Sequence, residues 1–325
     1  MNINDLKKQF NKIDDLKKNN IFDTYTLKEL QTLPTFNGLC ELSFKNTSFY
    51  MLNISNDDAV PLKYLWRNKY EHLSLSLWYD MTRKDGYFFD VGAHTGIYSI
   101  IGNLNKNQNN IISIEAYFLN FSRLLSNLKI NNIIPKNCFL AAASNTEDVG
   151  KLNVKTAPHY HSSGGKISEN GNFNVSKIKI DNFKLDKKVN GIKIDTEGHE
   201  FEVLEGAQNY INKDKPDIIF EINENCFAKC IELLKLNGYN FCFIDEIDEK
   251  IISFLAFRPA LLHQQTNGSH AWPSSRTWAM ADKLLKAGLS IEPAVGEGPA
   301  GEYLAYTSVY KKLPDLDAIL SGKGE

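Results

Sequence analysis

The fold class follows from the stretch YFFDVGAHTGIYSI, Tyr87–Ile100. Its first five residues are mainly apolar and indicate a buried strand, and the residues after Gly96 have helical spacing. Between them, Gly92 and Gly96 allow positive φ angles and let a ligand approach the backbone without a Cβ in the way. The helix start that follows presents free N–H groups suited to an anion. The stretch therefore predicts a strand, a ligand-binding turn and a helix in direct succession.

The same alternation of strand and helix continues along the chain. Further strands are predicted in IISIEA, CFLAAA, GIKIDTEGHE and PDIIFEIN, with helices at Phe118–Ile130, Glu200–Ile211 and Cys226–Asn237. Two antiparallel pieces are expected within 150–180, and YNFCFID with EKIISF is expected to close the sheet as a hairpin. Such alternation predicts an α/β, Rossmann-like, mostly parallel sheet with helices on both faces. Ligands bind beyond the carboxyl ends of the strands in such sheets, near the switch point.

Composition divides the chain into three parts. Residues 1–69 are expected to form a helical and strand extension, in which a helix with apolar positions from Ile3 to Leu16 packs on its own domain or contacts a second copy as a homodimer. Helical spacing then runs from Leu62 to Met81. The main domain is placed at 70–254. After Phe254 the asparagine-rich composition gives way to Ala, Gly and Pro, which predicts an unrelated, mostly helical appendage at 255–325.

Overall composition excludes several classes of protein. The 325 residues carry a formal net charge of −2, so nothing favours nucleic acid or an anionic membrane as a partner. No apolar run reaches the roughly 18 residues of a membrane span, and the charged N-terminus lacks the apolar core of a signal peptide. A cytoplasmic location is therefore expected. The cysteines are scattered, which favours ordinary thiols, although Cys226 and Cys230 lie one helical turn apart and leave a soft metal or redox role open.

The predicted ligand is a nucleoside. Glu115 ends the second strand, where an acid can accept hydrogen bonds from both hydroxyls of a ribose. The turn reads D-x-G-x-x-x-G rather than the G-x-G-x-x-G of dinucleotide sites, which favours a smaller and less anionic ligand, S-adenosylmethionine. A tight turn without a ligand is the alternative. The predicted cofactor-binding residues are Asp90, Gly92, His94, Gly96 and Glu115.

Four segments together resemble the FkbM family of class I methyltransferases: FFDVGAHTGIYS, ISIEAYFLNFSRLLSNLKIN, IKIDTEGHEFEVLEGA and PDIIFEIN. The upstream YEHLSLSLWYDM is also similar to the lead-in helix of that family, and the resemblance covers about Tyr70 to Phe254. It implies a Rossmann-like fold, S-adenosylmethionine as donor and methyl transfer to oxygen. The usual acceptors are sugars, glycans or other small hydroxylated molecules. Because family members vary in the acceptor loop, the individual substrate does not carry over.

Acidic residues and a histidine follow the fourth and fifth strands. A positioned base helps a hydroxyl to attack a methyl group, and the candidate catalytic residues are Asp195, Glu197, His199 and Glu221. Other roles remain open for each. Asp195 could orient the cofactor, Glu197 could cap the next helix, His199 could be a surface residue, and Glu221 could be a structural partner. Without a second dense acidic group at ligand spacing, no metal is predicted.

Two further segments carry weaker hypotheses. The loop from His159 to Ile167 has side chains suited to sugar hydroxyls and is expected to form part of the acceptor site, with an ordinary polar loop as the alternative. The tail is faintly similar to the C-terminal part of MoxR-like AAA+ ATPases, through Pro273, Arg276 and Trp278. No G-x-x-x-x-G-K-[ST] exists in the chain, so an ATPase activity is not expected.

The leading hypothesis is an O-methyltransferase. A methyltransferase acting on nitrogen or on a protein side chain is the alternative within enzymes. A non-catalytic interaction protein that keeps the fold, with the tail as its working part, is the alternative outside them. The remaining alternative is a nicotinamide-dependent oxidoreductase.

Overall fold

The computed structural model describes most of the chain from residue 27 to residue 310. The described residues are 13, 15–17, 22, 25, 27–68, 70–104, 110–154, 165–221, 226–242, 244, 251, 254, 255, 258, 261, 275–286 and 288–310. The chain divides into two compact units, Met1–Phe241 and Cys242–Glu325.

The first unit begins with a helical and hairpin region. Helix α1 precedes an antiparallel hairpin of strands β1 and β2, and helices α2 and α3 lead to the central sheet. Their bounds are α1 Leu27–Thr32, β1 Asn37–Phe44, β2 Thr47–Ile54, α2 Ala59–Arg67 and α3 His72–Met81. The prediction of one continuous helix from Leu62 to Met81 is wrong. It is interrupted because Asn68 and Glu71 take left-handed backbone angles, φ 57° and 38°.

The central sheet confirms the α/β prediction. Its five strands are all parallel, in the order β11-β10-β3-β4-β5. The strands are β3 Tyr87–Val91, β4 Ile111–Glu115, β5 Cys138–Leu140, β10 Val189–Ile194 and β11 Asp217–Phe220. After β3 the chain forms β4 on one side of β3, and it later returns to form β10 on the other side of β3. The gap beyond Val91 and Ile194, which are register partners, is therefore the switch point of the sheet.

Helices cover both faces of this sheet. Helices α4 Ile97–Asn103 and α5 Phe118–Ile130 follow β3 and β4, and α6 Glu200–Glu205, α7 Gln208–Asp214 and α8 Phe227–Leu236 lie farther along the chain. Adjacent residues of a strand point to opposite faces. Phe88 accordingly joins the buried cluster that holds Trp78 and Leu124, whereas Phe89 joins the cluster that holds Val203.

A second sheet of short strands follows β5. Its order is β6-β9-β7-β8, with β6 Ala142–Ala143, β7 Val149–Asn153, β8 Lys166–Ile167 and β9 Phe173–Ile178. The expected antiparallel pieces within 150–180 are confirmed by the pairing of β7 with β8 and β9.

Two other sequence-based expectations are corrected. The helix expected over Glu200–Ile211 is divided into α6 and α7 around Gly206, where hydrogen bonds with Asp181 replace the helical pattern: the Gly206 carbonyl oxygen accepts from the Asp181 N–H at 2.9 Å, and the Tyr210 N–H donates to Asp181 Oδ1 at 3.3 Å. The closing hairpin is not found among the described residues, since 239–242 carry no strand and Phe254 is helical. Ile251 and Phe254, three residues apart, bury their side chains in the core of the second unit instead.

The described part of the second unit is mostly helical, as expected for the C-terminal region. It contains α9 Ser275–Lys286, α10 Glu292–Val295 and α11 Glu297–Tyr310. Phe254 packs its ring against Trp278 and Tyr303, and Trp278 Nε1 donates to the Leu261 carbonyl oxygen at 2.7 Å. The division between the units at Phe241 thus precedes the compositional change near Phe254. Among the helices described in the chain, none has the length and apolar character needed to cross a membrane.

Candidate functional site

A cleft of about 230 Å³ opens at the switch point of the central sheet, within the first unit. The carboxyl ends of β3, β4, β10 and β11 line it, together with the turn before α3 and residues of α2. Seven of the nine predicted site residues reach this one cleft: Gly92, His94, Glu115, Asp195, Glu197, His199 and Glu221. The remaining two, Asp90 and Gly96, are not among its lining residues.

Gly92 forms the floor of the turn after β3. Its φ is +73°, and its N–H donates to the Ile114 carbonyl oxygen at 2.9 Å. A Cβ at this position would lie 1.8 Å from the carbonyl oxygen of Asp195. Only glycine allows the chain after β3 to approach the chain after β10 this closely, and this approach brings the two halves of the cleft together.

Asp90 and Gly96 support the turn from behind. Asp90 is fully buried, and its Oδ2 accepts from Ser99 Oγ at 2.6 Å. Burial raises the pKa of Asp90, while the charge of Lys193 and the Ser99 hydrogen bond oppose that rise. Gly96 has φ +101°, and a Cβ there would meet the Leu124 side chain at 2.6 Å, so this glycine lets α4 pack against α5. Neither residue lines the cleft, and their role in cofactor binding stays a prediction.

Glu115 ends β4 and accepts hydrogen bonds from the chain on both carboxylate oxygens. Oε2 accepts from the His94 N–H at 2.8 Å, and Oε1 accepts from the Tyr117 N–H at 2.9 Å. Burial raises the pKa of Glu115, and the charge of His94 together with these hydrogen bonds opposes the rise. Asn120 Nδ2 also donates to Oε1, at 3.4 Å. Because an ionised carboxylate has about four acceptor positions, Glu115 keeps about one of them for a ligand hydroxyl.

His94 sits between the two glycines in a left-handed conformation, φ 51°. Its Nδ1 lies 3.3 Å from Thr95 Oγ1. Its Nε2 is buried and has no hydrogen-bond partner within the described part of the chain. A buried ring nitrogen without a partner is costly, so this atom is suited to a polar group of a ligand.

Lys193 is the most important residue that the sequence-based prediction missed. It lies in β10, is 5% exposed, and lines the base of the cleft. Its Nζ donates to the Gly92 carbonyl oxygen at 3.0 Å and lies 3.4 Å from Asp195 Oδ2 and 3.7 Å from Asp90 Oδ1. Burial lowers the pKa of Lys193, but Asp195, Asp90 and Glu71 outweigh it, and the pKa is raised overall. A single charge inside the apolar run of a strand was the signal that could have identified it.

Glu71 and Tyr98 were also missed. Glu71 lines the cleft from the turn before α3, and its Oε2 accepts from the Tyr98 hydroxyl at 2.9 Å. Tyr98 lies on α4, with its ring centroid 4.9 Å from Lys193 Nζ. Glu71 belongs to the segment YEHLSLSLWYDM but is far from the strand ends in sequence, so its place in the cleft follows only from the tertiary structure.

Three carboxyl groups gather on the other side of the cleft. One carboxylate oxygen from each of Asp195, Glu197 and Glu221 lies within 4.8 Å of the other two. Burial, followed by the like charges of Asp195 and Glu197, raises the pKa of Glu221 to about 8. Because Glu221 is exposed overall, we assign the larger share of that rise to the like charges. The three groups are close enough to share a proton, and acidic proximity alone does not establish a metal site.

His199 and Glu200 organise the turn after β10. His199 Nε2 lies 3.1 Å from Ser144 Oγ, and burial lowers the pKa of the ring. Glu200 is fully buried and accepts from the N–H groups of Thr196 and Gly198, each at 3.0 Å. Cys226 Sγ donates to its other oxygen at 2.9 Å. Cys226 therefore has a structural hydrogen bond, and Glu200 holds the turn that carries Glu197.

Most of the predicted acceptor loop lies outside the described residues. His159 and His161 are among those positions, and only Gly165 to Ile167 is described. Gly165 and Ile167 line the cleft, so the end of the loop reaches the site.

Residues 90–241 match the family model described as "Methyltransferase FkbM domain". The match begins at Asp90 in β3 and ends where the first compact unit ends. This match supports the resemblance of the main domain to the FkbM family and the expectation that the domain is a methyltransferase. The resemblance of the tail to MoxR-like AAA+ ATPases finds no support. No curated protein matches the chain.

Two solved structures are distantly similar. One is a methyltransferase FkbM from Methylobacillus flagellatus KT, with 17% identity and a TM-score of 0.30 over 55% of this chain. The match spans less than half, 45%, of that chain. The other is a precorrin-6y C5,15-methyltransferase from Geobacter metallireducens GS-15, with 16% identity and a TM-score of 0.33 over 51% of this chain and 71% of that one.

Proposed function

We propose that this protein is an S-adenosylmethionine-dependent methyltransferase of the FkbM family. The observation that carries the proposal is the meeting of the Gly92 turn and the Glu115 carboxylate in one cleft at the switch point of the sheet. The match of residues 90–241 to the family model supports the same reaction class.

The residues of the cleft fit this cofactor. Glu115 has about one remaining acceptor position for a ribose hydroxyl, and Ile114 with Ala141–Ala143 supplies an apolar wall suited to a purine. The buried Nε2 of His94 offers a polar partner. The acidic groups of the cleft favour a ligand that carries positive charge over a pyrophosphate, which supports a sulfonium cofactor over a dinucleotide.

When bound, S-adenosylmethionine supplies an electrophilic methyl group with a neutral leaving group. Positioning of the acceptor next to that group is the main task of the protein and can lower the barrier by about 7–11 kcal/mol. The carboxyl group of Asp195, Glu197 or Glu221 takes the proton of the acceptor hydroxyl, a contribution of about 10²–10⁴-fold. The raised pKa of Glu221, about 8, makes its basic form a good proton acceptor near neutral pH. His199 faces the same cleft and remains a candidate for orienting the acceptor.

We propose that the acceptor is a hydroxyl of a sugar, a glycan or another small hydroxylated molecule. We also propose that the protein acts in the cytoplasm. Clustered carboxylates are good acceptors for hydroxyl hydrogen bonds, which supports this choice. The same negative charge would also attract an ammonium group, so methyl transfer to nitrogen is the second candidate. Incubation with labelled S-adenosylmethionine and matched neutral sugars and amino sugars distinguishes them by the position of the label.

Calorimetry with S-adenosylhomocysteine tests the cofactor directly. We expect micromolar binding to the intact protein and a loss of about 10-fold or more in Glu115→Ala, since a hydrogen bond to a charged group contributes about 1.5–3 kcal/mol. Glu41→Ala, an exposed change on β1, is the control and should bind normally. Failure of the intact protein to bind would favour a non-catalytic interaction protein, and a preference for NAD would favour an oxidoreductase.

A further inference from the structure

Lys193 has an environment that burial alone does not explain. A charged ammonium taken out of water is costly unless it is paired and hydrogen-bonded. The side chain of Lys193 has a carboxylate on each side, Asp90 from β3 and Asp195 from the end of β10, and it donates to the Gly92 carbonyl oxygen. One buried cation thus contacts both chain segments that form the switch point.

The two segments lie in close contact at this point. A Cβ on Gly92 would come 1.8 Å from the Asp195 carbonyl oxygen. The Lys193 contacts join the backbone of one segment to the side chain of the other. Asp195 is also the member of the carboxyl cluster nearest to a fixed positive charge, since Lys193 Nζ lies 3.4 Å from its Oδ2.

We infer that Lys193 is a positioning residue, whose ammonium fixes the Gly92 turn against the Asp195 carboxylate. After burial, the charge of Asp195 is the largest cause of the raised pKa of Glu221, and Glu221 is hydrogen-bonded to Asp195, so the position of Asp195 also affects the proton of Glu221. This inference rests on the proposed function, because it assigns a role within the same cleft.

The groups that face Lys193 set the electrostatics of the test. Within the described residues they come from β3, the turn before α3, α4, and the segment after β10: Asp90, Glu71, Tyr98 and Asp195. Glu197 and Glu221 lie next to Asp195 and are affected by Lys193 through that residue. Loss of the Lys193 charge leaves these carboxyl groups without their buried cation. The cluster of Asp195, Glu197 and Glu221 therefore holds its proton to a higher pH.

A single substitution of Lys193 would confuse two effects, because it leaves Asp90 buried without its cation. We therefore choose Asp90→Asn/Lys193→Met and Asp90→Asn/Lys193→Gln, which remove both charges of the buried pair. The glutamine amide can still donate to a carbonyl group and the methionine cannot. Thermal unfolding of each double variant, compared with Lys193→Met alone, measures how far stability is restored.

Calorimetry with S-adenosylhomocysteine between pH 5.5 and pH 9 then gives the readout. We expect both double variants to unfold at a higher temperature than Lys193→Met, to bind about 10-fold or more weakly than the intact protein, and to show a pH midpoint of binding raised by about one unit. A role in packing alone would leave that midpoint unchanged.

Each other outcome also decides the matter. Wild-type affinity or a wild-type pH midpoint in the double variants overturns the inference while leaving the proposed function intact. Failure of both double variants to fold overturns it as well, because Lys193 would then be a core residue. If the intact protein does not bind S-adenosylhomocysteine, it is the proposed function that fails.

Discussion

Gly92 lies where the two halves of the cleft come closest. A side chain there would meet the Asp195 carbonyl oxygen, and the positive φ is unfavourable for any residue with a Cβ. The requirement for glycine is therefore both conformational and steric, and it follows from the return of the chain to β10 beside β3.

Gly92→Ala should lower the free energy of unfolding by more than about 2 kcal/mol, because the left-handed conformation alone costs about 1–2 kcal/mol and the clash adds to it. Gly238→Ala is the matched control: its φ is +76°, yet nothing lies within 4 Å of its Cβ position. Urea denaturation of both variants gives the two values. Equal losses would show that the close approach to Asp195 contributes nothing.

Glu221 makes the stability of the protein depend on pH. Its pKa is about 8 in the folded protein, against an ordinary value of 4.5, so the folded protein binds this proton more tightly than the unfolded chain. The stabilisation is complete below about pH 4.5 and is lost as the pH rises through about 8.

We therefore expect the intact protein to lose stability relative to Glu221→Gln as the pH increases from 5 to 9. Unfolding free energies of both proteins, measured across that range, show the trend as a widening difference. Glu232→Gln, an exposed change on α8, serves as the control. A difference that stays constant with pH would show that the carboxyl cluster does not share a proton as described.

At the scale of elements, helix α5 joins the hairpin to the cleft. Asn127, on its buried face, accepts from the Leu52 N–H at 2.9 Å and donates to the Thr95 carbonyl oxygen at 2.8 Å. Arg123 of the same helix pairs with Asp57 in a buried salt bridge, 2.9 Å between Nη2 and Oδ2. The hairpin is thus connected to the turn after β3 by polar side chains of α5.

Asn127→Ala should lower the free energy of unfolding by about 2–6 kcal/mol, because it leaves two backbone groups unpaired at about 1–3 kcal/mol each. Asn131→Ala is the comparison, since Asn131 makes similar hydrogen bonds to Tyr50 one turn later in an exposed position. Water can replace those bonds, and the loss should stay below about 1 kcal/mol. Comparable losses in a denaturant titration would contradict this reading.

Helix and strand positions followed from periodicity wherever burial of one face controls the element. Phe118–Ile130 was predicted with the bounds that the structure has. The breaks at Asn68–Glu71 and at Gly206 were not predicted, because they depend on backbone angles and on hydrogen bonds with Asp181, in another part of the chain.

At the scale of the whole molecule, each unit has its own core. The clusters that hold Phe88 and Phe89 belong to the first unit, and the cluster around Trp278 belongs to the second. Every lining residue of the cleft falls between Leu27 and Glu221.

A chain that ends at Phe241 should therefore bind S-adenosylhomocysteine like the intact protein. A chain that ends at Phe254, near the change in composition, retains Ile251 and Phe254 without their partners Trp278 and Tyr303, and its exposed apolar surface favours self-association. Calorimetry and light scattering compare the two. Loss of binding in the shorter chain would mean that residues after Phe241 are required by the site.

Periodicity in the chain predicts the order of most strands and helices, because burial imposes a period of two or 3.6 residues on each element. It also places the Gly92 turn and Glu115 at one edge, because the carboxyl ends of parallel strands meet there. Which further residues line the cleft follows from the three-dimensional fold. Lys193 and Glu71 line it, and Asp90 and Gly96 do not, because side-chain direction and packing between distant segments leave no periodic trace in the chain.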